Sequence, residues 1–117
     1  MPSKSPTQRL HDILDNIYAI DSFLGDYDLE ALTRDRKTLY AIIRALEIIS
    51  EATRRIPDAV KDNYDEIDWV AVAAAGNIYR HEYDAVDEAI IWHTVKVGLA
   101  PLRAFAQFEL KRLGIDA

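Results

Sequence analysis

Asn77, Arg80, His81 and Asp84 lie in one short stretch, Gly76-Asn77-Ile78-Tyr79-Arg80-His81-Glu82-Tyr83-Asp84. At about 100° per residue of an α-helix, Asn77 and His81 stack at i,i+4, as do Arg80 and Asp84, and Asn77 and Arg80 are i,i+3. All four then share roughly a third of the helix circumference, while Ile78, Tyr79, Glu82 and Tyr83 point elsewhere. An imidazole, a guanidinium, an amide and a carboxylate on one face make either a site for polar chemistry or a solvated stripe.

Several chemistries are disfavoured by what surrounds them. His11, His81 and His93 fall in three different predicted helices, there is no cysteine, and no His-Glu-x-x-His pattern occurs. The Glu-x-x-His spacing of carboxylate-bridged di-iron bundles is missing too, because Ile78 and Ile90 hold the positions three before His81 and His93. No metal and no cofactor is therefore expected. Gly-rich phosphate loops and serine elbows are absent from the sequence. His11 and His93 read as surface or boundary histidines. For the cluster at His81, the cost of placing two potential cations at the end of an apolar helix argues for pairing or for use. Asp84 pairing with Arg80 would satisfy the first.

The elements that must position these residues are helical. Leu10, Ile13, Leu14, Ile17, Ile20 and Leu24 recur at helical spacing from about Thr7 to a C-cap at Gly25. Asp26-Tyr27-Asp28 offers caps for a short turn over Leu29 to Thr33. Asp35 begins a second long helix with Leu39, Ile42, Ile43, Leu46, Ile49 and Ile56 as its buried stripe, ending before Pro57. Asp58 to Glu66 reads as a short helical turn within a connection. Asp68 caps a third long helix reaching about Tyr83, whose first half, Trp69 to Gly76, is apolar all round and mostly small. Such a helix is expected to be buried on more than one side, within a bundle or across a dimer contact. Asp87 opens a fourth segment through Ile90, Ile91, Val95 and Leu99, and Pro101 marks a kink or restart before Leu102, Phe105, Phe108, Leu110 and Leu113. The fold class is all-α, an antiparallel four-helix-type bundle with short extra helical turns. Residues 1–6 are expected to form a flexible arm and residues 7–117 a single domain.

Composition narrows the partners. The 117 residues are 50% hydrophobic and 29% charged, with a formal net charge of −6. An acidic chain makes a poor general nucleic-acid coat, so any such activity needs a local basic patch. Arg34, Arg36, Lys37, Arg44, Arg54 and Arg55 supply one candidate, unless they are a solvated face balanced by Glu47 and Glu51. The N-terminal MPSKSPTQRL lacks the apolar run of a secretory signal. No stretch approaches the roughly 18 apolar residues of a membrane span. No membrane association is expected, and the cytoplasm is the expected location.

The segment Asp68-Trp69 through His81-Glu82-Tyr83, followed by Ala85-Val86-Asp87, Trp92, Val95 and Leu99-Ala100-Pro101-Leu102, resembles the HepT-like branch of the HEPN domains. So does the second long helix, with Asp35-Arg36-Lys37-Thr38 and Leu46-Glu47-Ile48-Ile49-Ser50-Glu51-Ala52. The resemblance runs from about residue 8 to 113. It implies a homodimer with two copies of the third-helix motif around a shared cleft, and metal-independent RNA cleavage through attack of the ribose 2′-OH. On that resemblance His81 is the general acid or base, with Asn77 at the polar position that follows the family arginine. Asp84 and Glu51 are supporting residues. Tyr83 matches a tyrosine open to adenylylation by a nucleotidyltransferase antitoxin, the implied partner of a toxin. The family arginine itself is missing: Gly76, Ala75 and Ala74 occupy its allowed positions. Arg80, one turn beyond Gly76, projects from the same face and is the candidate replacement. In the second helix Ala45 and Ser50 stand where asparagine and glycine are common.

Three readings follow. One is an HEPN-type endoribonuclease toxin using His81, Arg80 and Asn77. Another is a non-catalytic HEPN dimer that binds a nucleotidyltransferase or a nucleotide. The last is a purely structural helical dimer.

Overall fold

A computed structural model describes residues 5–81 and 87–115. Along them run α1 (Pro6–Leu24), α2 (Leu29–Arg34), α3 (Arg36–Arg54), α4 (Asp58–Lys61), α5 (Trp69–His81), α6 (Glu88–His93), a π-helical turn over Thr94–Gly98, and α7 (Ala100–Arg112). No strand occurs among the described residues. The arrangement is the all-α, four-helix-type bundle expected, with α2 and α4 as the short extra turns.

The starts of α1, α2, α3, α5 and α6 are each set by a side chain that satisfies an otherwise orphaned backbone N–H, whereas α4 and α7 have no side-chain cap. Ser5 Oγ accepts from Gln8 N at 3.2 Å, and Pro6 opens α1 where its missing N–H costs nothing. Asp28 caps α2 through Ala31 N at 2.8 Å, and Asp35 caps α3 through Thr38 N at 3.1 Å. Asp68 accepts from Ala71 N at 3.0 Å in the first turn of α5, and Asp87 accepts from Ala89 N at 2.7 Å at α6. At Gly25 the backbone turns with φ of 50°, a conformation that favours glycine, and α1 ends there. Pro101 cannot donate to a preceding carbonyl. Just before it the chain widens into the π-helical turn, closed by Leu99 N bonding to Thr94 O at 2.9 Å.

The core is built from the predicted stripes. Leu10, Ile13, Leu14, Ile17, Ile20 and Leu24 of α1 are all buried, as are Leu39, Ile42, Ile43, Leu46 and Ile49 of α3 and Ile56 beyond it. Each such side chain contributes about 1.5–3 kcal/mol by leaving water. α1 packs chiefly on α3 and then on α7, which adds Leu102, Phe105, Ala106 and Leu110, while α5 packs on the other side of α3. Phe105 is gripped by rings: Tyr64 and Trp69 meet it edge-on at centroid distances of 4.7 and 4.9 Å. Phe108 and Leu113, in the same stretch of α7 and its exit, stay exposed.

The first half of α5 is apolar all round, yet within the single chain the helix is covered mainly along α3, and Gly76 is its one buried residue. Val70 is 81% exposed and Ile78 47%, with Ala71 and Ala74 also open. Helical apolarity predicts burial without saying which molecule provides it.

Candidate functional site

The last two turns of α5 lie against the C-terminal half of α3, and the approach there is unusually close. Ser50, buried in α3, directs its Oγ at the backbone of α5, 2.8 Å from Val72 O and 3.3 Å from Ala73 O. Gly76 faces the same serine. A Cβ at position 76 would lie 2.3 Å from Ser50 Oγ and 2.9 Å from its Cβ, closer than packed atoms can stand. The glycine at 76 and the serine at 50, two of the three positions where the resemblance led us to expect other residues, therefore form one packing arrangement. The side chain at the α3–α5 contact comes from α3, and α5 yields the space.

That contact also sets the direction of the remaining polar groups. With Gly76 turned to α3, the helical period rotates Arg80 about 40° from the contact line, Asn77 about 100° and His81 about 140°. Arg80 consequently reaches back along α3. Its Nη2 donates to Asn77 Oδ1 at 2.7 Å, and its Nη1 lies 3.9 Å from Glu51 Oε2. Glu51 in turn accepts from Arg55 Nε at 3.1 Å. Asn77, Arg80, Glu51, Arg54 and Arg55 line an open groove of about 460 Å³ between the two helices.

His81 stands at the edge of this assembly. It is the last described residue of α5, exposed, and makes no hydrogen bond or ion pair among the described residues. By helical geometry it shares its sector with Val70 and Ala74, to within about 20°, so the imidazole borders the uncovered apolar face. Tyr83 and Asp84, expected as modification site and supporting residue, lie outside the described residues. Among the described residues no group of three or more His, Asp or Glu side chains is close enough to hold a metal ion.

The structure thus brings Asn77, Arg80 and Glu51 together and leaves His81 beside them on the outer face. Sequence reading did not anticipate the convergence of Arg54 and Arg55 on Arg80. Their i,i+3 and i,i+4 spacing from Glu51 was the available signal.

The family described as Ribonuclease HepT-like matches residues 13–108, which include all of α5 and the groove. The chain belongs to the HepT-like family. Among curated relatives, "Probable ribonuclease HepT" of Thermococcus cleftensis is 37% identical over 109 residues, covering 93% of this chain and 97% of that protein. "Putative RNase MJ0127" of Methanocaldococcus jannaschii is 34% identical over 95 residues, covering 81% of this chain and 78% of that protein. No solved structure matches the chain.

Proposed function

We propose that this chain is a metal-independent endoribonuclease that works as a homodimer, with His81, Arg80 and Asn77 as its catalytic residues. The observation that carries this reading is the placement of Arg80. In a family whose relatives are named as ribonucleases, this chain has no arginine at 76, yet a guanidinium oriented by Asn77 projects beside His81 over an open polar groove. The contact with Ser50 disfavours a side chain at 76, one of the three positions open to the family arginine, and position 80 is the next to share its direction.

In the proposed reaction the ribose 2′-oxygen forms a bond to the adjacent phosphorus as the bond to the 5′-oxygen of the next nucleotide breaks. The products are a 2′,3′-cyclic phosphate and a free 5′-hydroxyl. His81 takes the 2′-OH proton while water protonates the leaving oxygen, or it protonates the leaving oxygen while water takes the 2′-OH proton. Arg80 stabilises charge on the non-bridging phosphate oxygens, where a planar fork of donors suits the geometry. Asn77 holds Arg80 in place. DNA, lacking the 2′-OH, is not cut.

Dimerisation is supported by the uncovered face of α5. Val70, Ala71, Ala74 and Ile78 are too apolar to be left in water at a low cost, and a second copy laid there brings two His81 residues to one cleft. We further propose that the protein is a cytoplasmic toxin silenced by adenylylation of Tyr83 by a nucleotidyltransferase antitoxin. No helix among the described residues is long and apolar enough to cross a membrane. The net charge of −6 and the lack of an arginine at 76 favour a second reading, a non-catalytic dimer that binds a nucleotidyltransferase or a nucleotide.

RNA cleavage by purified protein in EDTA separates the two. His81→Ala should abolish cleavage, and Arg80→Ala should slow it by about 10²–10³-fold. A wild-type protein no more active than His81→Ala, with its dimer intact, rejects the ribonuclease reading. Unchanged activity in Arg80→Ala rejects the displaced arginine. Mass spectrometry after incubation with the nucleotidyltransferase and ATP tests the silencing: modification that survives Tyr83→Phe excludes Tyr83.

A further inference from the structure

The basic residues in the middle of the sequence do not act as one patch. Arg34 pairs with Glu30 on α2, Arg44 lies 3.0 Å from Glu47, and Arg36 sits over the ring of Tyr40 at 5.2 Å. Arg54 and Arg55 behave differently. They close α3 at the end where the helix dipole favours cations, and they converge with Arg80 on the 460 Å³ groove. That size falls in the range of about 300–1,000 Å³ typical of ligand sites.

The groove is lined by three guanidiniums, one carboxylate and one amide. Glu51 supplies the carboxylate and is shared between Arg55 at 3.1 Å and Arg80 at 3.9 Å. Arg54 has no ion-pair partner among the described residues. Among the described residues this lining carries a local excess of positive charge, in a chain with net charge −6, and its ion-pair network has room for an anion. Guanidinium forks match the paired oxygens of phosphates bidentately, as they do those of carboxylates. An open groove, moreover, suits a strand that passes through it more than an enclosed small molecule.

We propose that this groove binds the phosphodiester backbone of single-stranded RNA next to the bond that is cut. Arg54 and Arg55 hold a neighbouring phosphate. Glu51 occupies that phosphate's place in the free protein and is displaced from the guanidiniums when RNA enters. The position of the held phosphate relative to the cleaved bond rests on the ribonuclease reading; the binding itself does not.

Binding and cleavage are measured separately. A short fluorescein-labelled 2′-O-methyl oligoribonucleotide cannot be cut, and its anisotropy gives affinity as a function of NaCl. Arg54→Ala/Arg55→Ala should weaken binding by about tenfold at low salt and flatten the slope of log K against log salt by about 0.7, the loss of one single-strand phosphate contact. Arg34→Ala/Lys111→Ala, which removes the same charge from α2 and α7, should leave both within error of wild type. Glu51→Gln should tighten binding.

Equal losses in the two double variants, or none in Arg54→Ala/Arg55→Ala, overturn the proposal. Unchanged or weaker binding in Glu51→Gln overturns the role of Glu51 as the phosphate's stand-in. On cleavable RNA, Arg54→Ala/Arg55→Ala should raise KM with kcat retained. If wild type binds with the expected slope but cuts nothing, the ribonuclease reading falls and the groove stands. If wild type cuts RNA and the arginine pair changes neither affinity nor KM, the groove falls and the ribonuclease reading stands.

Discussion

Replacing Gly76 with alanine tests the packing that keeps side chains out of the contact between α5 and Ser50. In most exposed helix interiors Gly→Ala stabilises, by about 1 kcal/mol. Here the new methyl would sit 2.3 Å from Ser50 Oγ and 2.9 Å from Ser50 Cβ. Rotating the hydroxyl away relieves the first clash but gives up its bond to Val72 O at 2.8 Å, a loss of about 1 kcal/mol. The second clash remains whatever the rotamer, so α5 must move off α3, an overpacking cost of about 1–3 kcal/mol. The terms sum to a net destabilisation of about 1–3 kcal/mol, or a fall in Tm of about 4–12 °C for a domain of this size. Urea denaturation at one fixed protein concentration reads it, since the stability of the proposed dimer would depend on concentration. Adding Ser50→Gly removes both atoms that the methyl meets, so the double variant should be more stable than the two single effects added together, by about 1–2 kcal/mol. A Gly76→Ala protein as stable as wild type, or more so, would refute the claim that the contact with Ser50 disfavours a side chain at 76.

The apolar face of α5 and two titrating groups yield further tests. Val70→Glu puts a charge on a side chain that is 81% exposed in the single chain, so folding should survive while self-association weakens by at least about tenfold; light scattering that returns an unchanged dimer mass would exclude this face from the contact. Asp35 accepts from Tyr27 Oη at 2.6 Å and from Thr38 Oγ1 at 2.8 Å, and chiefly the bond from Tyr27 lowers its carboxyl to about 2. Because the folded value is depressed, the stability it contributes is present above the ordinary 3.8 and is lost as pH falls toward 2. The acid limb of a denaturation profile should accordingly be shallower in Asp35→Asn. Tyr64 is pushed up to about 12 by burial and by its bond to Glu109 at 2.6 Å, so its contribution is complete below pH 10 and disappears as pH rises through 12. Tyr64→Phe should lose that part of the alkaline limb at a cost near neutrality of about 1 kcal/mol.

The helical frame was legible because it depends on local rules. Stripes repeating with the helical period in α1 and α3 became the core residue for residue, and Asp28, Asp35, Asp68 and Asp87 cap where a short polar side chain precedes an apolar run. The Arg80–Asn77 bond was legible for the same reason, being an i,i+3 pair on one helix. α5 was half legible. Its composition called for burial, but the chain covers it mainly along α3, and periodicity cannot distinguish a neighbour in the same chain from a second molecule.

What the sequence determined by itself, then, is the set of helices, their inward faces, and the arrival of Asn77, Arg80 and His81 on one side of α5. Tertiary structure alone decided three things. Ser50 and Gly76 meet across the α3–α5 contact as one packing arrangement. Glu51 lies between Arg55 and Arg80, and Arg54 and Arg55 join Arg80 in a single groove. All three depend on the rotation and separation of two helices whose contacting residues are more than twenty positions apart. That geometry is set by how side-chain volumes fit across the interface, and no spacing along one helix encodes it.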